Sequence, residues 1–166
     1  MGVGGLGHLA IQFAAKLGCR VVVISRSDRK KEEAMKLGAR EFIATANLDK
    51  DFKPEHQINR LLVTTSAQPD WEQIIPMLGM RSTIFPLSVS DDKLEMPYMP
   101  LLANGINVQG SIVGNRAIHH QMLEFAALHD IKPIIEKFPM SEDGLKQAID
   151  KLNAGDIYYR AVLINN

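Results

Sequence analysis

A chain of 166 residues, 46% hydrophobic and 23% charged, has the size and composition of one globular domain with a real core rather than of a disordered or fibrous chain. Nineteen basic residues balance nineteen acidic ones, so no global field draws the chain to nucleic acid or to an anionic membrane, and no apolar run is long enough to span a bilayer. Cys19 is the only cysteine, which excludes an internal disulfide and a cysteine-based zinc site; with no basic-then-apolar leader at the start, the expectation is a cytoplasmic protein.

The chain opens on Gly2-Val3-Gly4-Gly5-Leu6-Gly7, the G-x-G-x-x-G spacing of a dinucleotide-binding turn. Gly2 permits the tight strand-to-helix turn, Gly4 lets the backbone approach a pyrophosphate, and Gly7 lets the helix pack close to the sheet. The spacing alone is weak, because glycine clusters also make flexible leaders. The helix that follows, over residues 8–18, strengthens it: Leu6, Leu9, Ala10, Phe13, Ala14 and Leu17 form one apolar stripe, and Gly18 closes the helix. Residues 20–25 (RVVVIS) then make a short β-branched run, expected as a strand buried on both faces. The turn should follow a buried strand and only Met1 precedes it, so the first strand of the sheet is expected to be missing.

The second strand ends in Ser25, followed by Arg26 and Ser27, and a helix follows through Ala34 and Leu37, with Ser27 or Asp28 as its cap and Gly38 as its stop. A nucleotide-binding unit usually places an acid here, about 20 residues past the glycines, to hold the ribose 2′-OH. No carboxylate occupies the strand end. Ser25, Arg26, Ser27, Arg29 and Lys30 supply hydroxyls and positive charge instead, which suits a 2′-phosphate and favours NADP over NAD. A solvated, cation-rich helix start is the plain alternative.

Residues 41–44 predict a third strand, 47–57 a polar loop, and 60–65 a fourth strand. Thr64 and Thr65 fall at the carboxyl end of that strand, where ligands of parallel sheets collect. A helix capped by Asp70 covers 70–78, and a fifth strand covers 82–87, disturbed by Pro86. Residues 88–100 are expected as a loop, 106–113 as a sixth, edge strand, and 117–128 as an amphipathic helix; His119, His120 and His129 are expected at the surface, without ligand spacing. A strand at 134–138, a helix from Ser141 and a strand at 158–164 make a β-α-β tail.

Together GVGGLGHLAIQFAAKLG, VVVISRSDRKKEEAMKLGA, INVQGSIVG, FAALHDIKPIIEKFPM and YYRAVLIN resemble the zinc-dependent medium-chain alcohol dehydrogenase family over essentially the whole chain, nearest its NADP-preferring, cinnamyl-alcohol-dehydrogenase-like branch. The resemblance implies an α/β, Rossmann-type doubly wound parallel sheet in residues 1–130. Residues 131–166 would return to a catalytic domain. It implies that Gly2, Gly4, Gly5, Leu6 and Gly7 hold the pyrophosphate, that Ser25, Arg26, Ser27 and Lys30 read the ribose or its 2′-phosphate, and that Thr64 and Thr65 line the cleft. By the same resemblance Leu87, Ser111 and Val113 meet the nicotinamide carboxamide through their backbone, and Arg160 reaches the pyrophosphate. It also implies a homodimer through the edge strand near Ile106 and Gly110.

The chain departs from that pattern in lacking the family's zinc ligands and proton-relay residues, so no catalytic and no metal-binding residue is assigned. It is expected to be a truncated product or excised cofactor part, with weaker cofactor binding than a full-length relative. Three readings remain: the NADP(H)-binding portion of an alcohol dehydrogenase, not catalytic alone; an interaction module with a vestigial nucleotide site; and part of a zinc-independent quinone or enoyl reductase.

Overall fold

β-Branched runs become parallel strands and the amphipathic runs between them become helices, in the alternating order the sequence predicts. A computed structural model describes residues 1–49 and 52–165, so positions 50 and 51 of the polar loop lie outside the described residues. Helix α1 (Gly7–Lys16) leads into β1 (Val22–Ser25); after one turn of 3-10 helix at Asp28–Lys30, α2 (Lys31–Lys36) leads into β2 (Glu41–Ala44). β1 and β2 pair in parallel, Val22 opposite Glu41 and Ser25 opposite Ala44. A second parallel sheet holds β3 (Ile58–Val63), β4 (Leu78–Pro86) and β5 (Asn107–Val108) in that order.

Met1 and Gly2 join the two sheets. The Met1 nitrogen donates to the Leu62 carbonyl at 2.6 Å. The Thr64 N–H donates to the Met1 carbonyl and the Gly2 N–H to the Ile24 carbonyl, each at 2.9 Å. The first two bonds have the pattern of a parallel ladder on β3. The spatial order is therefore β2-β1-(residues 1 and 2)-β3-β4-β5, the arrangement of a doubly wound sheet, with two residues standing where a first strand is expected.

Both faces of the sheet are covered, as parallel strands require. Val21 and Val23 face a cluster with Val3, Ile11, Ala34, Ala39 and Tyr159. Ile24 points the other way, to Ile43, Leu61, Val63, Trp71, Ile74, Met77 and Ile84, a cluster that spans both sheets. The two-residue alternation along β1 makes this double burial possible.

The expected helix over 70–78 is only α3 (Trp71–Ile74) followed by a 3-10 turn at Ile75–Met77; Asp70 caps it as expected, accepting from the N–H groups of Glu72 and Gln73 at 3.1 and 3.3 Å. The expected cap at Ser27 is not made: its hydroxyl accepts from Arg29 Nε at 3.4 Å. The expected loop over 88–100 gives way at its end to α4 (Tyr98–Asn104), whose start suits Pro97 before it and Pro100 in its first turn, where no N–H is needed. The sixth strand, expected over 106–113, shrinks to β5. Gln109 N–H still donates to the Ile84 carbonyl at 2.9 Å, but the reciprocal donor in that register is Pro86, which has no N–H.

Helix α5 (Arg116–Leu128) is capped by Asn115, whose Oδ1 accepts from Ile118 N–H at 3.0 Å. The tail folds as the expected β-α-β unit: β6 (Ile135–Pro139), α6 (Glu142–Asn153) and β7 (Arg160–Ile164), with β6 parallel to β7. No helix among the described residues is long and apolar enough to cross a membrane.

Candidate functional site

The glycine turn lies where the two sheets meet, at the carboxyl ends of β1 and β3. Gly2 adopts φ +91°, and a side chain there would come within 3.0 Å of Thr64 Oγ1 and 3.1 Å of the Thr65 nitrogen. A Cβ on Gly7 would stand 2.0 Å from the Gly2 carbonyl oxygen. Gly7 thus serves first to close the turn on itself, a tighter constraint than the expected helix-to-sheet packing. A Cβ on Gly4 would meet nothing within 4 Å. That open position is where a ligand can reach the backbone.

Helix α1 starts with Leu6 at its cap position and no side-chain cap. No hydrogen bond among the described residues uses the N–H of Gly4, Gly5, Leu6 or Gly7. Four consecutive unpaired donors at the positive end of a helix form an anion cradle. Thr64 secures its floor: the hydroxyl lies 2.9 Å from the Met1 carbonyl and 3.2 Å from that of Gly2. Thr65 Oγ1 accepts from the Ala67 N–H, so its hydroxyl oxygen is occupied locally.

Beyond β1, Ser25 is half-buried and Arg26 is exposed. Ser27 and Arg29 are tied together, which leaves the two guanidinium groups on one short stretch with no ion pair among the described residues. The Lys30 ammonium donates to the Val3 carbonyl at 2.9 Å and lies 4.3 Å from the centre of the Tyr159 ring.

The tail completes the site through residues that the sequence reading does not single out. Tyr159 is buried; its hydroxyl donates to Glu33 at 2.6 Å, and the Tyr158 hydroxyl bonds the other Glu33 oxygen. Burial acts to raise the Glu33 carboxyl, but the two hydroxyls and the Lys30 charge outweigh it and hold the group below its ordinary range. Burial first, then the hydrogen bond to Glu33 and its charge, raise the Tyr159 hydroxyl far above its ordinary value. His8 is fully buried against the Tyr159 ring, with Nδ1 3.0 Å from the Gly4 carbonyl and Nε2 accepting from the Ile134 N–H at 3.0 Å. A histidine one residue past the glycines, and paired tyrosines beside the closing arginine, are the only signals the sequence offered for these contacts.

The backbone of residues 159 and 160 crosses the turn closely: a Cβ on Gly5 would lie 2.8 Å from the Tyr159 carbonyl and 3.0 Å from Arg160 Cδ. Arg160 is exposed at the cradle, with no ion pair among the described residues. Leu87 also belongs here, its N–H donating to the Val63 carbonyl at 2.9 Å. Ser111 and Val113 lie past β5 in exposed chain, Val113 at 83% exposure, and no hydrogen bond joins them to the turn. A hollow lined by Ala15, Cys19, Leu37 and Arg40 among others is at the opposite end of α1 and takes no part in this site. Among the described residues no group of three or more His, Cys, Asp or Glu is placed to hold a metal ion.

Residues 5–128 match the family model described as zinc-binding dehydrogenase. An aldehyde reductase of Synechocystis is 36% identical over 163 residues, covering 98% of this chain and 48% of that protein. An NADP-dependent alcohol dehydrogenase C of Mycolicibacterium smegmatis is 33% identical, covering 98% of this chain and 46% of that protein. A cinnamyl alcohol dehydrogenase structure from Sorghum bicolor superposes with a TM-score of 0.84 at 30% identity, over 98% of this chain and 46% of that one. The chain spans about half the length of the curated relatives it matches.

Proposed function

The chain belongs to the zinc-binding dehydrogenase family, and on that premise we propose that it binds NADP(H) as the cofactor unit of an oxidoreductase acting on alcohols and aldehydes. The observation that carries this reading is the row of unpaired N–H groups from Gly4 to Gly7, facing the open side of Gly4. These donors would hold the pyrophosphate, with Arg160 as the fixed cation beside them. Ser25, Arg26 and Ser27 would take the adenosine ribose and its 2′-phosphate, because no acid stands at the strand end to repel it. Thr64, Thr65 and Leu87 line the way toward the carboxyl ends of β3 and β4, and the backbone of Ser111 and Val113 would meet the nicotinamide carboxamide.

When bound, the nicotinamide supplies hydride exchange with the carbon of an alcohol or carbonyl. Zinc does not fit the residues described, and no step is assigned to it. The relatives named as an aldehyde reductase and an NADP-dependent alcohol dehydrogenase support the substrate class and the cofactor. Residues 1–130 would form the cofactor unit and 131–166 the segment that returns toward catalytic groups, so this chain alone would bind cofactor without turnover. β5 has a neighbour on one side only and an exposed Val108, which suits a homodimer through residues 106–110 in a cytoplasmic protein with a single exposed cysteine. Titration with NADPH and NADH, read by cofactor fluorescence, tests the reading: NADPH binds more tightly than NADH. A folded sample that binds neither overturns it and leaves a strand-pairing interaction module.

A further inference from the structure

We propose that Tyr159, anchored with Tyr158 on Glu33, is a positioning residue that holds a strained turn and so sets the Arg160 guanidinium at the pyrophosphate cradle. The inference rests on the cofactor reading above. Tyr159 adopts φ +64°, the left-handed region that a bulky aromatic residue rarely occupies. Across it the Arg160 N–H donates to the Tyr158 carbonyl at 2.9 Å, which closes a three-residue turn of the rare, strained sense. The Tyr159 N–H makes the same kind of bond to the Ile157 carbonyl at 3.1 Å. The chain thus bends twice between Ile157 and Arg160, just where β7 begins.

Strain of this kind persists only where the surroundings over-determine the backbone, and it collects at binding sites. Side chains from three elements hold this bend. The buried Tyr159 ring packs on His8 of α1, with the ring centres 4.5 Å apart. The Tyr159 hydroxyl donates to one Glu33 oxygen at 2.6 Å and the Tyr158 hydroxyl bonds the other, so one carboxylate of α2 takes both. From the tail, Glu136 of β6 accepts from the Tyr158 N–H at 3.1 Å and pairs in turn with Lys151 of α6. The bend is clamped between the first helices and the tail.

The bend achieves a close approach. A Cβ on Gly5 would meet the Tyr159 carbonyl at 2.8 Å and Arg160 Cδ at 3.0 Å. The Gly5 N–H is one of the four unpaired donors, so the base of the arginine side chain is seated against the cradle itself. No ion pair among the described residues fixes the direction of Arg160, so its place is set by the backbone that delivers it. A relaxed, negative φ at Tyr159 rotates the peptide that leads into Arg160 and carries the side chain away from Gly5. A pyrophosphate needs its cation in register, because a charge-assisted hydrogen bond weakens steeply when misaligned. The two tyrosines therefore act on the ligand through Arg160 rather than by touching it.

The test uses the paired variant Tyr158→Phe/Tyr159→Phe, which removes both hydroxyls and keeps both rings and the net charge. It is compared with Arg160→Met and with the combined triple variant, each titrated with NADPH and with NADH, which share the pyrophosphate. Arg160→Met is expected to weaken both cofactors about tenfold, the effect of one charge-assisted hydrogen bond. The paired variant is expected to weaken both about fivefold, with their ratio within about twofold. In the Arg160→Met background the same two changes should cost less than about twofold, because the group they position is gone. Losses that multiply in the triple variant, or unchanged affinity in the paired variant, overturn the proposal. Amide hydrogen exchange of residues 158–161 without cofactor gives a second readout. It speeds up in the paired variant, and unchanged exchange overturns the proposal even if the parent protein binds neither cofactor, a result that defeats the cofactor reading instead. Where the paired variant does not fold, Tyr159→Phe alone is read by the same measurements.

Discussion

The His8 ring nitrogen Nε2 accepts a hydrogen bond of 3.0 Å from the backbone N–H of Ile134, 126 residues further along the chain. The other ring nitrogen faces the Gly4 carbonyl at 3.0 Å, and a carbonyl can only accept. The two contacts together require the neutral Nδ1–H tautomer. One buried side chain thus fastens the cofactor turn on one side and the start of the tail on the other.

A pH dependence follows with a definite sign. Burial lowers the His8 pKa below 6.5, opposed by the Gly4 carbonyl and helped by the Arg160 and Lys30 charges. The folded state prefers the neutral ring, so this contribution to stability is complete above the unfolded value and is lost as pH falls through the folded one. Thermal denaturation between pH 8 and pH 5 is expected to show a falling midpoint below about pH 6.5. His8→Gln is expected to flatten that fall, and a wild-type slope in the variant would count against this origin.

Two glycines separate binding from folding. Gly7→Ala forces a methyl into the Gly2 carbonyl at 2.0 Å, and a loss on the order of 3–5 kcal/mol is expected in urea denaturation. Gly4→Ala meets nothing within 4 Å, so stability should stay within about 0.5 kcal/mol of the parent. Cofactor affinity should still fall about tenfold or more, because the methyl stands where the pyrophosphate approaches. Undiminished binding in Gly4→Ala would place the ligand elsewhere.

Thr64→Val tests the floor of the turn. The valine keeps the shape and removes the hydroxyl that lies against the Met1 and Gly2 carbonyls. A loss of about 1 kcal/mol is expected from the denaturation midpoint, with Thr64→Ser near the parent.

Arg26→Ala tests the cofactor preference. NADPH affinity is expected to fall about tenfold, the effect of one charge-assisted hydrogen bond at an exposed site, while NADH stays within about twofold. Added salt should weaken NADPH binding to the parent more than to the variant. Equal losses for both cofactors would remove Arg26 from the 2′-phosphate.

Much of the frame was legible along the chain. The stripe from Leu9 to Leu17 gave α1, the runs at 20–25 and 60–65 gave β1 and β3 to within two residues, and Asp70 proved a true cap. What failed did so through tertiary partners. Residues 106–113 have strand character throughout, but the strand ends where β4 presents Pro86. Ser27 could cap a helix and instead accepts from Arg29.

The sequence by itself determined what depends on near neighbours: the periodicity of strands and helices, the glycine spacing of the turn, and the absence of an acid at the end of β1. These follow from steric and hydrogen-bonding preferences over a few residues. The tertiary structure decided which groups face one another across long separations. It brought Ile134 to His8, Tyr159 to Glu33 and Thr64 to Gly2, and so decided which acceptors around the turn are engaged. The physical reason is that leaving a buried polar group without a partner is costly, and the partner that satisfies it is chosen by packing of the whole chain rather than by local order.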